Sequence, residues 1–211
     1  MQQKNTEISL VKPGHFGKST DNIKILNNFI ELNDLKLIQS FLPKINKWMD
    51  AGENQYSEDG TCTYDASYWS NRQCSWDILK ELSIEIYCLV EKYIIKMKVY
   101  LEQEFKVELS YRPPVIVRWF SGLEQQPHAD KQLNDGSPNP FPTYDLNSLF
   151  YYNDEFEGGQ LYYPDHDIEI TPSPGLAVAH PGDIYYLHGV KKVISGERFT
   201  TPSFYTITEL K

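Results

Sequence analysis

Cysteine is scarce in this chain. Cys62, Cys74 and Cys88 are the only three in 211 residues, an odd number with no C-x-x-C pair. That argues against a disulfide framework or a structural zinc site and fits reduced thiols in a cytosol. Runs of Lys and Arg are missing and the formal charge is −9, which argues against nucleic-acid backbone binding as the main task. No stretch approaches ~18 consecutive apolar residues, so no membrane span is expected. The opening residues, Met1 to Glu7, carry no apolar signal region. The expectation is a soluble, cytoplasmic protein. Internal repeats and low-complexity tracts are absent as well.

Aromatic residues are plentiful. Fifteen Tyr and ten Phe point to a β-rich architecture, because aromatic rings fit pleated, half-buried surfaces. The length suits one domain, 1–211, with helical support and a lid-like loop over 1–105 and a β core over 106–211. Residues 1–22 read as irregular, and Ile23–Ile30 as a strand or extended entry. Asn33 or Asp34 is the expected N-cap of a helix over 35–49, kinked or broken near Leu42 by Pro43. From 50 to 75 the periodicity vanishes, which fits either a lid or a surface insertion. Apolar residues recur at helical spacing from Trp76 to Phe105 and need a sheet face to lie against. Beyond Phe105 the period switches to two. Strands are expected over 107–111, 115–120, 146–152, 160–163, 168–171, 175–180, 183–188 and 198–208. Helices first and many short strands later read as α+β, with a jelly-roll or cupin-like sandwich.

His128-Ala129-Asp130 places an imidazole and a carboxylate two residues apart, where a strand runs into a turn. Both can reach one metal ion there, with His188 as a third ligand from a distant strand. Two His and one carboxylate form the facial triad of non-haem Fe(II) oxygenases, which leaves positions open for oxygen and a co-substrate. Ten residues after His188 comes Arg198, a permanent cation whose fork grips a carboxylate bidentately. The rivals fit less well. His166 is flanked by Asp165 and Asp167 at the wrong offset, and His180 would leave Arg198 eighteen residues away. His180 reads as a core histidine, and His15 as solvated.

The surrounding run is more specific than the triplet alone. It comprises Glu157-Gly158-Gly159-Gln160-Leu161, then Pro181-Gly182-Asp183, His188-Gly189-Val190 and Gly196-Glu197-Arg198. This order resembles the Fe(II)/2-oxoglutarate-dependent dioxygenases, in particular their prolyl 4-hydroxylase-like branch, over roughly residues 107–208. The resemblance implies a double-stranded β-helix supported by N-terminal helices. It implies that His128, Asp130 and His188 bind Fe(II), and that Arg198 pairs with the distal carboxylate of 2-oxoglutarate. Tyr151 sits where the branch often has a tyrosine bonded to that carboxylate, and Thr200 lies two residues past Arg198. Leu149 and Phe204 would wall the co-substrate pocket, Phe204 standing where relatives often have Trp. The second tyrosine usual before the metal motif is absent; the stretch is Arg118-Trp119-Phe120.

The implied reaction consumes O2 and releases succinate and CO2 while hydroxylating the substrate. Because Asp130 is a carboxylate, no ligand position is left for chloride, which favours hydroxylation over halogenation. The expected substrate is a prolyl residue of a peptide or protein, covered by residues 50–76 and 131–143, with ascorbate as a possible requirement. The same chemistry on another side chain, a free amino acid or a nucleobase stays open. A non-catalytic jelly-roll binding module is the remaining alternative.

Overall fold

Residues 8–50, 52–56, 60, 62–137 and 139–211 are described in the computed structural model. The expectations placed on residues 1–7, and on parts of the 50–76 and 131–143 segments, lie outside them. An irregular start, 8–19, leads through a short 3-10 turn at Thr20–Asn22 into β1 (Lys24–Leu26) and α1 (Leu32–Phe41). The N-cap of α1 is Glu31, ahead of both expected caps, Asn33 and Asp34. Asp34 is instead the acid of the first turn, and it accepts hydrogen bonds from Tyr93 Oη at 2.6 Å and Lys92 Nζ at 2.7 Å. Between the kink and the break expected near Leu42 the break occurs, and it is made by Pro43. Its ring cannot donate to the previous turn, so the chain leaves through a 3-10 turn at Leu42–Lys44.

The stretch from 50 to 75 is not one draping loop. It holds the hairpin β2 (Gln55–Tyr56) and β3 (Cys62–Tyr64), the single turn α2 (Ala66–Trp69) and the strand β4 (Gln73–Cys74). The expected long helix after it is two, α3 (Trp76–Leu82) and α4 (Ile84–Phe105). Ser83 makes the break. Its backbone is extended and its hydroxyl accepts from the Ile86 N–H at 3.2 Å, capping α4 and diverting the chain from a continuous helix.

The β region follows as β5 (Val107–Tyr111), β6 (Ile116–Phe120), β7 (Gln125–His128), β8 (Leu146–Tyr151), β9 (Phe156–Gly158), β10 (Leu161–Tyr163), β11 (Ile168–Ile170), β12 (Ala177–Pro181), β13 (His188–Val190) and β14 (Val193–Leu210). The strand expected over 183–188 is a 3-10 turn at Ile184–Tyr186, because Asp183 caps it by accepting the Tyr185 N–H. Two antiparallel sheets result. The larger runs β1-β12-β8-β14-β6-β4, with β5 and β9 also paired to β14; the smaller runs β11-β10-β13-β7. The long β14 binds four other strands at successive points along its length.

Burial explains the layering. The α4 stripe of Ile86, Val90, Tyr93, Ile94, Met97 and Leu101 packs with α1 and α3 against Phe150, Tyr152, Ala177, Ala179, Tyr205 and Ile207 on the outer face of the larger sheet. The opposite face closes on the smaller sheet through Tyr151, Leu161, Tyr163, Ile170, Val178 and Tyr186. Alternation along β8 and β14 therefore assigns each residue to the helix side or the inter-sheet side. No helix among the described residues is long and apolar enough to cross a membrane, and all three cysteines are free.

Candidate metal centre and anion pocket

His128 ends β7 and His188 opens β13, and the two face each other as direct cross-strand partners with ring centroids 4.6 Å apart. Asp130 lies in the turn just past β7. The backbone N–H groups of Asp130 and Lys131 both donate to the Gly182 carbonyl, at 3.0 and 3.1 Å, which fixes that turn. Gly182 is required there, since a Cβ would stand 2.0 Å from the Tyr144 carbonyl. One ligand atom from each of His128, Asp130 and His188 lies within 4.8 Å of the others. Asp130 Oδ1 is 3.8 Å from His128 Nε2, and its Oδ2 is 3.5 Å from His188 Nε2.

Hydrogen bonds prepare all three groups. The Nδ1–H of His128 donates to the Gln126 carbonyl at 3.0 Å and that of His188 to the Tyr186 carbonyl at 3.1 Å. Both rings thus turn a basic Nε2 toward Asp130, as metal-ligating imidazoles must. The Gln125 amide lies 3.2 Å from His128 Nε2 and is the group a metal would displace. Burial, with His180 and His128 nearby, holds His188 well below the usual histidine range, so it is a neutral ligand near pH 7. Asn147 Nδ2 donates to Asp130 Oδ2 at 2.6 Å. Sequence reading missed Asn147; its position two residues before Leu149 on the inward face of β8 was the available signal. Substituting Asn147→Ala is expected to weaken metal affinity about 10- to 100-fold, as measured by competition with a chromophoric chelator. An unchanged affinity would remove Asn147 from the site.

The anion pocket lies on the same inter-sheet side. Arg198 is fully buried, and Tyr151 and Thr200 are direct partners across β8 and β14. Arg198 Nη2 donates to Tyr151 Oη at 3.4 Å, and the guanidinium lies over the Trp119 and Tyr151 rings, 5.2 and 5.0 Å from their centroids. Among the described residues Arg198 Nε and Nη1, Thr200 Oγ1 and Tyr163 Oη are buried with no partner. A buried guanidinium without a counter-ion costs several kcal/mol, so this arrangement suits an anion supplied from outside the protein. Gly159 leaves the necessary room: its φ is +67°, and a Cβ there would come 2.9 Å from Arg198 Cδ.

Other candidates fall as follows. Leu149 shares the inter-sheet cluster with Tyr151. Phe204 stacks on Tyr144 at 4.1 Å and pairs across with Asn147, so it stands on the Asp130 side rather than beside Arg198. Six residues of strand, roughly 20 Å, separate Phe204 from Arg198. His180 is buried, packs edge-on to His188 at 4.4 Å and lies outside the three-residue ligand group. His15 is exposed. Arg72, also missed, is buried against Tyr68, Trp69 and Trp119, with its Cζ 4.1 Å from the Trp119 centroid. Through β4, which pairs with β6, the 65–74 segment is thereby built onto the Trp119 wall of the pocket.

No protein-family model matches the chain. Over 95 aligned residues it is 32% identical to prolyl 3-hydroxylase 2 of rat and of human, covering 39% of this chain but only 14% and 13% of those proteins. Solved structures align across most of the chain. A viral collagen prolyl hydroxylase from Paramecium bursaria Chlorella virus-1 has a TM-score of 0.59 at 13% identity, covering 89% of this chain and 97% of that one. A prolyl hydroxylase from Trichoplax adhaerens, in complex with a hypoxia-inducible-factor peptide fragment, gives 0.58 at 18%, with 89% and 84% covered. A Pseudomonas putida prolyl-4-hydroxylase gives 0.55 at 12%, with 88% and 92% covered. The shared fold is a double-stranded β-helix.

Proposed function

We propose that this chain is an Fe(II)- and 2-oxoglutarate-dependent dioxygenase that hydroxylates a prolyl residue of a peptide or protein. The observation that carries the reading is the pairing, between the same two sheets, of a His-Asp-His cluster with a buried arginine that has no counter-ion among the described residues. A metal alone would not need Arg198, and a simple anion site would not need three convergent ligands. The names of the relatives support the prolyl substrate.

His128, Asp130 and His188 would hold the iron, and Arg198 with Tyr151 and Thr200 would hold the distal carboxylate of 2-oxoglutarate. The bound iron supplies oxygen activation, coupled to conversion of 2-oxoglutarate into succinate and CO2. The chain's own residues bind and orient. Asn147 keeps the Asp130 carboxylate turned to the cluster, and the Gln126 and Tyr186 carbonyls keep both Nδ1 atoms protonated and both Nε2 atoms basic. Trp119, Leu149 and the Tyr68–Arg72 segment keep water from the anion end. Residues 50–76 and 131–143 are the segments that would meet the peptide, and a cytoplasmic location fits the free thiols.

Anaerobic titration of the Fe(II)-loaded protein with 2-oxoglutarate tests the site. A weak visible charge-transfer band is expected, and it should vanish in Asp130→Ala. Succinate release should then rise with proline-containing peptides and be checked with and without ascorbate. A band with no peptide response would move the substrate to another side chain, a free amino acid or a nucleobase. No band and a preference for zinc or no metal would leave a binding module.

A further inference from the structure

Tyr163 is a fully buried phenol on β10 whose hydroxyl has no partner among the described residues. A side chain of this kind normally finds an acceptor when it is enclosed, because an unmade hydrogen bond in the interior is costly. Its place in the fold is specific. Tyr162 pairs with Gly189 across β10 and β13, which sets Tyr163 beside His188 on the same inward face. The Tyr163 ring meets His188 at 5.8 Å and His180 edge-on at 5.4 Å. It also belongs to the packed cluster that contains Tyr151, the phenol bonded to Arg198. Tyr163 thus packs on a candidate metal ligand and shares one packed cluster with the phenol at the anion end.

We infer that Tyr163 is a further co-substrate anchor, whose hydroxyl donates to the carboxylate gripped by Arg198. This rests on the dioxygenase reading. It extends the recognised set of Arg198, Tyr151 and Thr200 by a donor from the smaller sheet, so that the carboxylate is held from both sheets at once. An ionised carboxylate has about four acceptor sites. The orphaned Arg198 Nε and Nη1, Thr200 Oγ1 and Tyr163 Oη are all donors, the complement such an acceptor needs. Packing alone would explain the ring of Tyr163; it would not explain a hydroxyl without a partner.

The test is Tyr163→Phe, which keeps the ring and deletes only the hydroxyl. Calorimetric titration of the Fe(II)-loaded protein without oxygen, with 2-oxoglutarate and separately with succinate, should show both dissociation constants raised about 10- to 100-fold. Succinate is informative because it keeps the distal carboxylate and lacks the keto group. The ligand-free variant should melt at the wild-type temperature or higher, since an orphaned polar group has been removed. The charge-transfer band at saturating 2-oxoglutarate should not move, and in turnover KM for 2-oxoglutarate should rise with little change in kcat. Wild-type affinity for both ligands in Tyr163→Phe overturns the inference and leaves the dioxygenase reading standing. A shifted band with unchanged succinate affinity also overturns it, by placing the hydroxyl at the metal end. Wild-type protein that binds no 2-oxoglutarate sinks the dioxygenase reading itself.

Discussion

Replacing Arg198 with Gln is expected to abolish 2-oxoglutarate binding while leaving the metal in place. The guanidinium is fully enclosed, donates a hydrogen bond to Tyr151 Oη at 3.4 Å through Nη2, and presents Nε and Nη1 to no acceptor among the described residues. Its burial lowers its pKa from the usual arginine value, opposed by Tyr151, yet an arginine stays charged at any working pH. A carboxylate arriving there forms a charge-assisted, bidentate pair in a medium that screens it poorly. Deleting such a pair costs roughly 2–5 kcal/mol, or about 30- to 5,000-fold in affinity. The candidate metal ligands sit on β7, the following turn and β13, and no hydrogen bond or ion pair joins them to Arg198, so metal affinity should stay within about threefold of wild type. Calorimetric titration with each ligand in turn measures both numbers. Loss of metal and 2-oxoglutarate together would mean that the variant disturbs the fold. Retention of 2-oxoglutarate would mean that the anion site lies elsewhere. Arg198→Lys keeps the charge but not the fork, and should recover only part of the affinity.

The second large effect falls on stability. Lys131 Nζ and Asp145 Oδ1 form an ion pair at 2.6 Å, with side-chain exposures of 5% and 0%. Lys131 also donates to Ser9 Oγ at 2.9 Å and to the Val11 carbonyl at 3.3 Å. The Asp145 carboxylate further accepts from Ser9 Oγ and from the Ile207 N–H. The pair thus ties the irregular segment around Ser9–Val11 to the residue after Asp130 and to β14. Removing one partner leaves the other charge stranded in the interior, which typically costs 3–5 kcal/mol. Asp145→Ala should therefore lower Tm by about 6–20 °C for a chain of this size. The double variant Lys131→Met with Asp145→Leu should recover most of the loss, since both charges go together. Urea or thermal melts of the three proteins decide it. A mild effect of Asp145→Ala would show that water or local rearrangement satisfies Lys131.

Much of the fold was legible because hydrophobic spacing is a local property. The α4 stripe, the period-two strands and the order of helices before strands all follow from which neighbours are apolar. The errors came where a polar side chain overrode that spacing. Ser83 split the long helix, and Asp183 capped a 3-10 turn where a strand was expected. The 50–76 segment has no period to read. Its place at the sheet edge depends on β4 meeting β6, more than forty residues away in the chain.

For the site, the sequence by itself determined the donor set. His128, Asp130, His188 and Arg198 are chemically suited to a metal and a carboxylate, and their order in the chain carried the family resemblance. Spacing also chose His188 over His180. Only the tertiary structure decided what supports them. Asn147 reaches Asp130 because β8 lies in the sheet beside the turn after β7, and Arg72 meets Trp119 because β4 pairs with β6. Tyr163 becomes an unpartnered donor because β10 stands next to β13, and Phe204 meets Tyr144 because β14 pairs it with Asn147 on β8. The physical reason is one of range. The type of a ligand is a property of its own side chain, whereas its orientation, its exclusion from water and its missing partner are properties of strands brought together from distant parts of the chain.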